Sequence, residues 1–327
     1  MLITNKVASG ETPVSIASIL AARERIAGIA IRTPLIRYHG DDSKTEIYLK
    51  LENLQPIGSF KLRGAANSMA IAGADALAGG VYTASAGNMA QGVAWCAREF
   101  GVKCRVVVPN TAPKAKTDAI ERLGGELVRV SFDEWWETLV NRGHPDMDGF
   151  FVHPFADEGV MAGNGTIGVE VFEDLENIDA IVVPYGGGGL ACGIASAAAA
   201  ISPDTKVYAV EAETAAPLAA SFKLNAPATV IRTPTFIDGM GSAAIFEEMW
   251  PLVQSLLGGA IVVSVARVAE AVKILAERCR IVAEGAGAAA LAAARSGPLE
   301  GKRVVCIVSG GNIDLNVLNK ILQGEVP

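Results

Sequence analysis

Apolar residues along this chain fall into two alternating patterns: short β-branched runs that end in small residues, and longer alanine-rich segments with helical spacing. Thr12-Pro13 followed by Ile16, Ile19 and Leu20 predicts an opening helix, capped by Thr12 with Pro13 in its first turn and ending near Ile26-Ala27-Gly28. After the turn-like Arg32-Thr33-Pro34, the alternation from Glu46 to Glu52 predicts a strand that delivers the chain into Gly58-Ser59-Phe60-Lys61-Leu62-Arg63-Gly64-Ala65. Lys61 then opens a helix rich in Ala and Met. Val81–Ala84 reads as a strand, Ser85-Ala86-Gly87-Asn88-Met89 as a turn, Ala90–Phe100 as a helix and Val106–Pro109 as the next strand, which is a βαβ unit. Further on, Thr117–Gly124 predicts a helix, Leu127–Val130 a strand, Phe132–Val140 a helix and Asn141–Gly149 an exposed connection.

The run Phe150–Phe155 leads back toward the larger part of the chain, and Gly163-Asn164-Gly165-Thr166 is expected to open a helix from Ile167 to Leu175. Ile181–Pro184 is a buried-type strand that runs straight into Tyr185-Gly186-Gly187-Gly188-Gly189-Leu190 and an alanine-rich helix. Val207–Glu211 follows as a strand, Ile237–Gly241 as a loop and Val265–Arg280 as a long amphipathic helix. Glu284-Gly285-Ala286-Gly287-Ala288 starts another Ala-rich helix, and Val304–Val308 is a strand ending at Ser309-Gly310-Gly311-Asn312. Strands alternating with helices specify an α/β fold with parallel sheets. The 327 residues suffice for two open α/β domains sharing one cleft: a large one from 1–79 and 157–327, and a small inserted one from 80–156.

Charge narrows the function classes. A formal net charge of -7 without any basic run argues against a nucleic-acid binder. Five cysteines at unpaired spacings suggest neither disulfides nor zinc, which fits a reducing cytoplasm. Met1–Glu11 lacks the order of a signal peptide, and Gly, Pro or charge interrupts each apolar run before it could span a bilayer, so no membrane association is expected.

The candidate chemistry lies where strands end. Small and apolar neighbours around Lys61 disfavour its ammonium form, which would make the amine a nucleophile and proton carrier, although a lysine whose stem merely covers apolar surface is the plainer reading of the octapeptide alone. The amides of the Ser85–Met89 turn could hold a carboxylate, or the turn could simply be tight. Four glycines at one strand-to-helix corner exceed what a turn needs and free successive N–H groups to wrap an oxyanion. The run lacks both P-loop and dinucleotide spacing, which favours a phosphate outside any nucleotide triphosphate.

The lysine loop, Ser-Ala-Gly-Asn turn, tetraglycine and Ser-Gly-Gly-Asn, in this order, resemble the fold-type II pyridoxal-phosphate enzymes, specifically the threonine/serine dehydratase and serine racemase family. Ala112-Pro113-Lys114-Ala115-Lys116, Gly163–Gly168 and Glu284–Ala288 extend the match over nearly the whole chain. The resemblance implies a tryptophan-synthase-β-like architecture with pyridoxal 5'-phosphate in the cleft. It implies that Lys61 forms the Schiff base and later moves protons, that Phe60 lies beside the cofactor, that Asn88 meets the ring hydroxyl and that Gly186, Gly187, Gly188, Gly189 and Leu190 hold the phosphate. Ser309 would face the pyridine nitrogen, where a neutral hydroxyl leaves the ring a weak electron sink. Ser85, Ala86, Gly87, Asn88 and Met89 would grip the substrate carboxylate, with Phe155, Gly239 and Glu284 behind them. The implied activity is dehydration of L-threonine or L-serine, with serine racemisation or a bulkier β-hydroxy amino acid (β-aryl serine, 3-hydroxyaspartate) as alternatives. A homo-oligomer, dimer or tetramer, is expected.

Departures from the family pattern refine this. Ala86 stands where racemases carry a second serine. The racemases' metal site would fall on Glu211, Ala215 and Pro217, and proline cannot ligate as aspartate does, so no metal is expected. Met89 in place of a histidine, and Phe155 in place of a polar residue, would make the substrate side less polar. The chain ends at Pro327, so the regulatory domain of biosynthetic threonine dehydratases, and with it isoleucine feedback, is not expected.

Overall fold

Ile181-Val182-Val183 and Val304-Val305-Cys306-Ile307 offer no polar position to solvent, and both runs lie in the middle of a sheet covered on its two faces. The computed structural model describes residues 1–5, 14–40, 44–299 and 302–327. Among them the strands are β1 (Leu2–Thr4), β2 (Leu35–Arg37), β3 (Glu46–Lys50), β4 (Val81–Ala84), β5 (Cys104–Pro109), β6 (Gly125–Val130), β7 (Phe150–Phe151), β8 (Ala180–Pro184), β9 (Lys206–Ala212), β10 (Gly259–Val263) and β11 (Arg303–Ile307). A seven-stranded sheet runs β1-β10-β9-β8-β11-β3-β2, parallel inside and antiparallel at both edges, with Cys306 of β11 opposite Leu49 on one side and Val182 on the other. A second, four-stranded sheet runs β6-β5-β4-β7 and is parallel throughout.

The helices in chain order are α1 (Ile16–Arg25), α2 (Lys61–Leu77), α3 (Asn88–Glu99), α4 (Lys114–Arg122), α5 (Phe132–Val140), α6 (Glu158–Asp174), α7 (Gly189–Ile201), α8 (Pro217–Leu224), α9 (Trp250–Leu256), α10 (Val265–Ile274), α11 (Gly285–Ala294) and α12 (Leu315–Leu322). On one face of the larger sheet α10 and α11 close an apolar cluster, and on the other α6 and α7 close a second. Helix α2 serves both sheets. Its Leu62, Ala65, Ala66 and Met69 pack with Val93, Ala97 and Val106 of the smaller sheet's layer, while its other side meets α6.

Several local expectations shift. Thr12 and Pro13 lie outside the described residues; α1 begins at Ile16 with Ser15 accepting from the Ser18 amide. Gly163–Thr166 does not open a helix. Asp157 caps α6, which begins at Glu158, nine residues before Ile167; its side chain accepts from the Val160 amide, and the glycines sit inside the helix. They are there for contact, since a Cβ at Gly163 would stand 2.4 Å from the Arg63 carbonyl of α2. Helix α4 starts at Lys114, earlier than Thr117, because Pro113 supplies the extended entry. The Val265–Arg280 segment stays α-helical only to Ile274, widens into a π-turn over Leu275–Cys279 and ends with Arg280 left-handed. The edge strands β1 and β2 and the buried β10 have no counterpart in the periodicity reading.

The lysine helix is fixed from behind by four buried charges. Arg63 Nε and Nη2 donate to Glu52 at 2.8 Å each, and Nη1 donates to Glu170 at 2.6 Å. Lys50 Nζ donates to Glu170 at 2.6 Å and to the Thr33 carbonyl at 2.7 Å. Thr33 Oγ1 and Gln55 Nε2 donate to the remaining lone pairs of Glu52. Two cations face two carboxylates, all but inaccessible to solvent. Burial alone would lower the Arg63 pKa, but Glu52 and Glu170 outweigh it and drive the value up; for Glu52 the same charges overcome burial and hold the carboxyl below its usual range.

Replacing Arg63 by Met should strand Glu52 and Glu170 with Lys50 as their only cation. We expect a loss of about 3–5 kcal/mol in urea denaturation, the cost of breaking a buried pair by removing one partner. An unchanged midpoint would contradict the role given to this network.

Candidate active site

Every candidate loop lies at the C-terminal end of a parallel strand, where open α/β sheets leave a crevice. The lysine loop is built by pairing: Ser59 bridges Gly310, the Phe60 amide donates to the Ser309 carbonyl at 3.0 Å, and the Gly311 amide donates to the Gly58 carbonyl at 2.9 Å. Lys61 Nζ donates to the Pro154 carbonyl at 2.6 Å and stands 5.2 Å from the centroid of the Phe60 ring. Among the described residues no carboxylate pairs with it. Burial pushes its pKa down to about 8, so near physiological pH a minority of the amine is neutral, far more than in an ordinary lysine.

The tetraglycine turn follows β8. Gly188 is left-handed at φ 93° and caps α7. The amides of Gly186, Gly187 and Gly188 have no acceptor among the described residues, and those of Gly189 and Leu190 belong to the open first turn of α7. A Cβ at Gly187 would stand 2.3 Å from the Phe155 ring, and one at Gly189 would stand 2.6 Å from the Phe155 carbonyl. Phe155 is thereby pressed against the turn, one residue from the carbonyl that holds Lys61. His153 shapes this corner: its Nδ1 accepts from the Ala156 amide at 2.8 Å, and burial, reinforced by Arg142 and Lys61, pushes its pKa down to about 3. In the sequence, a histidine directly before Pro154 within an apolar run is the one visible signal of His153.

The Ser85–Met89 turn joins β4 to α3. The Gly87 amide donates to Ser85 Oγ at 3.2 Å, whereas the amides of Ala86, Asn88 and Met89 have no acceptor among the described residues. Met89 departs from expectation. Its side chain is buried among Ile57, Leu62 and Val93, so only its amide faces the crevice and its replacement of a histidine does not make the substrate side less polar. Ala86, unlike Met89, is only partly buried, and it meets the same apolar cluster from its edge. Asn88 donates through Nδ2 to Glu284 Oε1 at 2.8 Å and accepts from Asn312 Nδ2 at 2.8 Å. Burial, with Asp238 nearby, raises the Glu284 pKa to about 7 against the opposing effects of Asn88 and Lys116. Gly239 packs between this carboxylate and Gly186, and Ser309 is buried at the end of β11.

Contacts also cross the mouth of the crevice. Lys116 pairs with Asp238, Arg142 Nη2 reaches Glu248 at 2.6 Å and the Trp136 and Phe246 rings lie 5.5 Å apart. Glu211, the one carboxylate among Glu211, Ala215 and Pro217, is engaged by backbone amides. Both oxygens of Glu211 accept, at 2.8 Å each, from the amides of Leu218 and Ala219, which lie just after Pro217 in the first turn of α8. Among the described residues no group of three His, Cys, Asp or Glu side chains is placed to hold a metal ion. No described helix is long and apolar enough to cross a membrane.

A lysine kept partly neutral, an acceptor-free glycine cradle for a dianionic phosphate and an asparagine beside them form a donor set that fits pyridoxal phosphate. Comparison with known proteins agrees with it. The E. coli K12 catabolic L-threonine dehydratase TdcB is 38% identical over 319 residues, covering 95% of this chain and 97% of that protein. The processed threonine deaminase isoform 2 of Solanum lycopersicum superposes with a TM-score of 0.86 at 33% identity, covering 99% and 96% of the two chains. Maize serine racemase gives 0.86 at 32% identity, covering 95% and 97%. A family model described as pyridoxal-phosphate dependent enzyme matches residues 26–310. On that match and on the site's own donors, the chain belongs to the pyridoxal-phosphate-dependent enzymes.

Proposed function

We infer that this enzyme is an ammonia-lyase that converts L-threonine or L-serine to a 2-oxo acid and ammonia by α,β-elimination. The observation that carries this reading is the Lys61 amine, desolvated and without a carboxylate partner among the described residues, in a chain that also offers the acceptor-free amides of Gly186–Gly188 and of Ala86, Asn88 and Met89. Bound there, pyridoxal phosphate supplies an electron sink that acidifies the substrate's Cα–H. The amides of Ala86, Asn88 and Met89 orient the carboxylate and with it the Cα–H bond. Lys61 Nζ takes the Cα proton, one proton goes out with the β-hydroxyl as water, and the released enamine tautomerises and takes up one water to give oxo acid and ammonia. The 38% identity to a catabolic threonine dehydratase over nearly the full length of both chains supports the same substrate class.

Ala86 favours elimination over racemisation. Inverting a centre requires a proton donor on the face opposite Lys61, and the methyl of Ala86, packed on the apolar cluster, offers none. Ser309 works in the same direction: its neutral hydroxyl at the ring nitrogen would leave the carbanion short-lived, and loss of a β-leaving group tolerates that better than reprotonation does.

Purified holoenzyme should release oxo acid and ammonia in equal amounts from L-threonine and L-serine, in a panel that also includes β-phenylserine and 3-hydroxyaspartate. Lys61→Ala should lower kcat by about ten-thousandfold, since it removes both nucleophile and proton carrier. Full activity in that variant would sink the reading.

With the cofactor removed, the neutral fraction of Lys61 should rise with pH and reach half near pH 8, about two units below an ordinary lysine. Reductive methylation followed by peptide mass analysis measures this, and modification only above pH 10 contradicts it.

Introducing Ala86→Ser should raise the D-serine formed per pyruvate from L-serine by about tenfold, less than the roughly hundredfold or more that one well-placed acid contributes. Total turnover should change less. If the unmodified enzyme already makes chiefly D-serine, the isomerase reading replaces this one.

A further inference from the structure

The asparagine that faces the ring oxygen is useful in only one of its two amide orientations, because a flip exchanges a donor for an acceptor. At Asn88 the neighbours decide which. Asn312 Nδ2 donates to the Ile57 carbonyl at 2.9 Å and to Asn88 Oδ1 at 2.8 Å. The Ile57 carbonyl can only accept, so the nitrogen of Asn312 must face it, and both of its hydrogens are then in use. The Asn88 atom that meets this nitrogen must be the oxygen. Asn88 Nδ2 therefore faces Glu284, donates one hydrogen to Oε1 at 2.8 Å and retains one. The chain begins on a group whose direction is not negotiable, the Ile57 carbonyl, and ends on Glu284, which accepts from Asn88 in its ionised form.

Space has been kept for it. A Cβ at Gly58 would stand 2.6 Å from Asn312 Oδ1, and one at Gly310 would stand 2.5 Å from Glu284 Oε1 and 3.3 Å from Asn88 Nδ2. Glu284 occupies the N-cap of α11 yet makes no capping bond with its side chain, so its buried carboxylate is left to Asn88. Asp238 and Lys116 are the charged groups around it, and they pair with each other.

We propose that Asn312 and Glu284 are positioning residues that hold the Asn88 amide in one flip state, so that its remaining Nδ2 hydrogen is presented to the oxygen on C3 of the pyridoxal phosphate ring. The inference rests on the assignment of Asn88 to that oxygen. Neither residue touches the reacting atoms; both act through Asn88. Asn312 also ties the turn carrying Asn88 to the loop carrying Lys61, since one nitrogen serves Ile57 and Asn88 together.

The test compares two ligands on the full-length chain: pyridoxal 5'-phosphate and 3-deoxypyridoxal 5'-phosphate, which lacks the ring oxygen. Dissociation constants are read from visible absorbance after reconstitution. The unmodified chain should prefer the natural cofactor by about tenfold, the worth of one hydrogen bond to a charged oxygen. Asn312→Asp, which removes the donor and lets Asn88 turn over, should bring the ratio of the two constants close to one. Glu284→Ala, in which Asn312 still meets Asn88 Oδ1, should lower the preference only in part, while Glu284→Gln, still able to accept from Asn88, should retain most of it. A purely structural role would weaken both ligands alike and leave the ratio unchanged in every variant, which would overturn the proposal. If the unmodified chain shows no preference, the assignment of Asn88 fails and this proposal with it, whereas the lysine and substrate-panel tests of the lyase reading stay unaffected.

Discussion

The pairing of Arg63 with Glu52 and Glu170 is the constraint on which the remainder of this structure depends. Ionised groups out of water are costly unless every lone pair and hydrogen is met, and here Thr33, Thr166, Gln55 and the Ile31 carbonyl complete the set. The network joins the segment before β2, the end of β3, the start of α2 and the middle of α6. Lys61 lies two residues from Arg63 on the same helix, and at 3.6 residues per turn the two side chains leave on nearly opposite sides. The inward one is bolted to four elements, and the outward one is free to reach into the crevice.

From that anchor the site is assembled by backbone pairing. The loop after β11 runs alongside the lysine loop through Ser59, Phe60 and Gly311, so residues far apart in sequence share one short ladder. The Pro154 carbonyl and the Phe155 ring then connect the lysine to the glycine turn after β8. Rigid strands thereby set the distances, and the loops contribute amides. Because helix α2 packs on the smaller sheet's layer as well as on α6, the ion pairs at the mouth, Lys116 with Asp238 and Arg142 with Glu248, close a crevice whose floor is already shared.

Much of this was legible in the sequence, for a physical reason. Core strands such as β4, β8 and β11 end in runs of small residues, and small residues at a strand's end are what a ligand-facing loop requires; the loops carrying Asn88, the glycines and Ser309 thus stand out in the sequence, while the roles of single residues in them come from the family resemblance. The two-residue and three-residue strands carry too few positions for periodicity to register. The start of α6 was hidden because Gly163 and Gly165 suggest a break, whereas close packing on α2 and α7 is what they serve. Met89 illustrates a different limit. A residue in a functional turn can offer its amide to the site and its side chain to the core, and sequence alone does not say which atoms are meant. The four-charge network was unreadable for a third reason: Lys50, Glu52 and Arg63 look like ordinary surface charges until Glu170 is brought against them.

The contact between Phe155 and the glycine turn also bears on how such a chain can drift. Every missense change in a glycine codon adds at least a Cβ, and the two crowded positions here would respond differently. At Gly187 the obstacle is the ring of Phe155, a side chain that could itself shrink, so the two sites can change only as a pair and in a fixed order, with the larger residue yielding first. At Gly189 the obstacle is the Phe155 backbone, which no substitution at 155 removes. One glycine is therefore conditionally replaceable and its neighbour two positions on is not. Among descendants of this sequence, residues 155 and 187 should covary while residue 189 stays invariant.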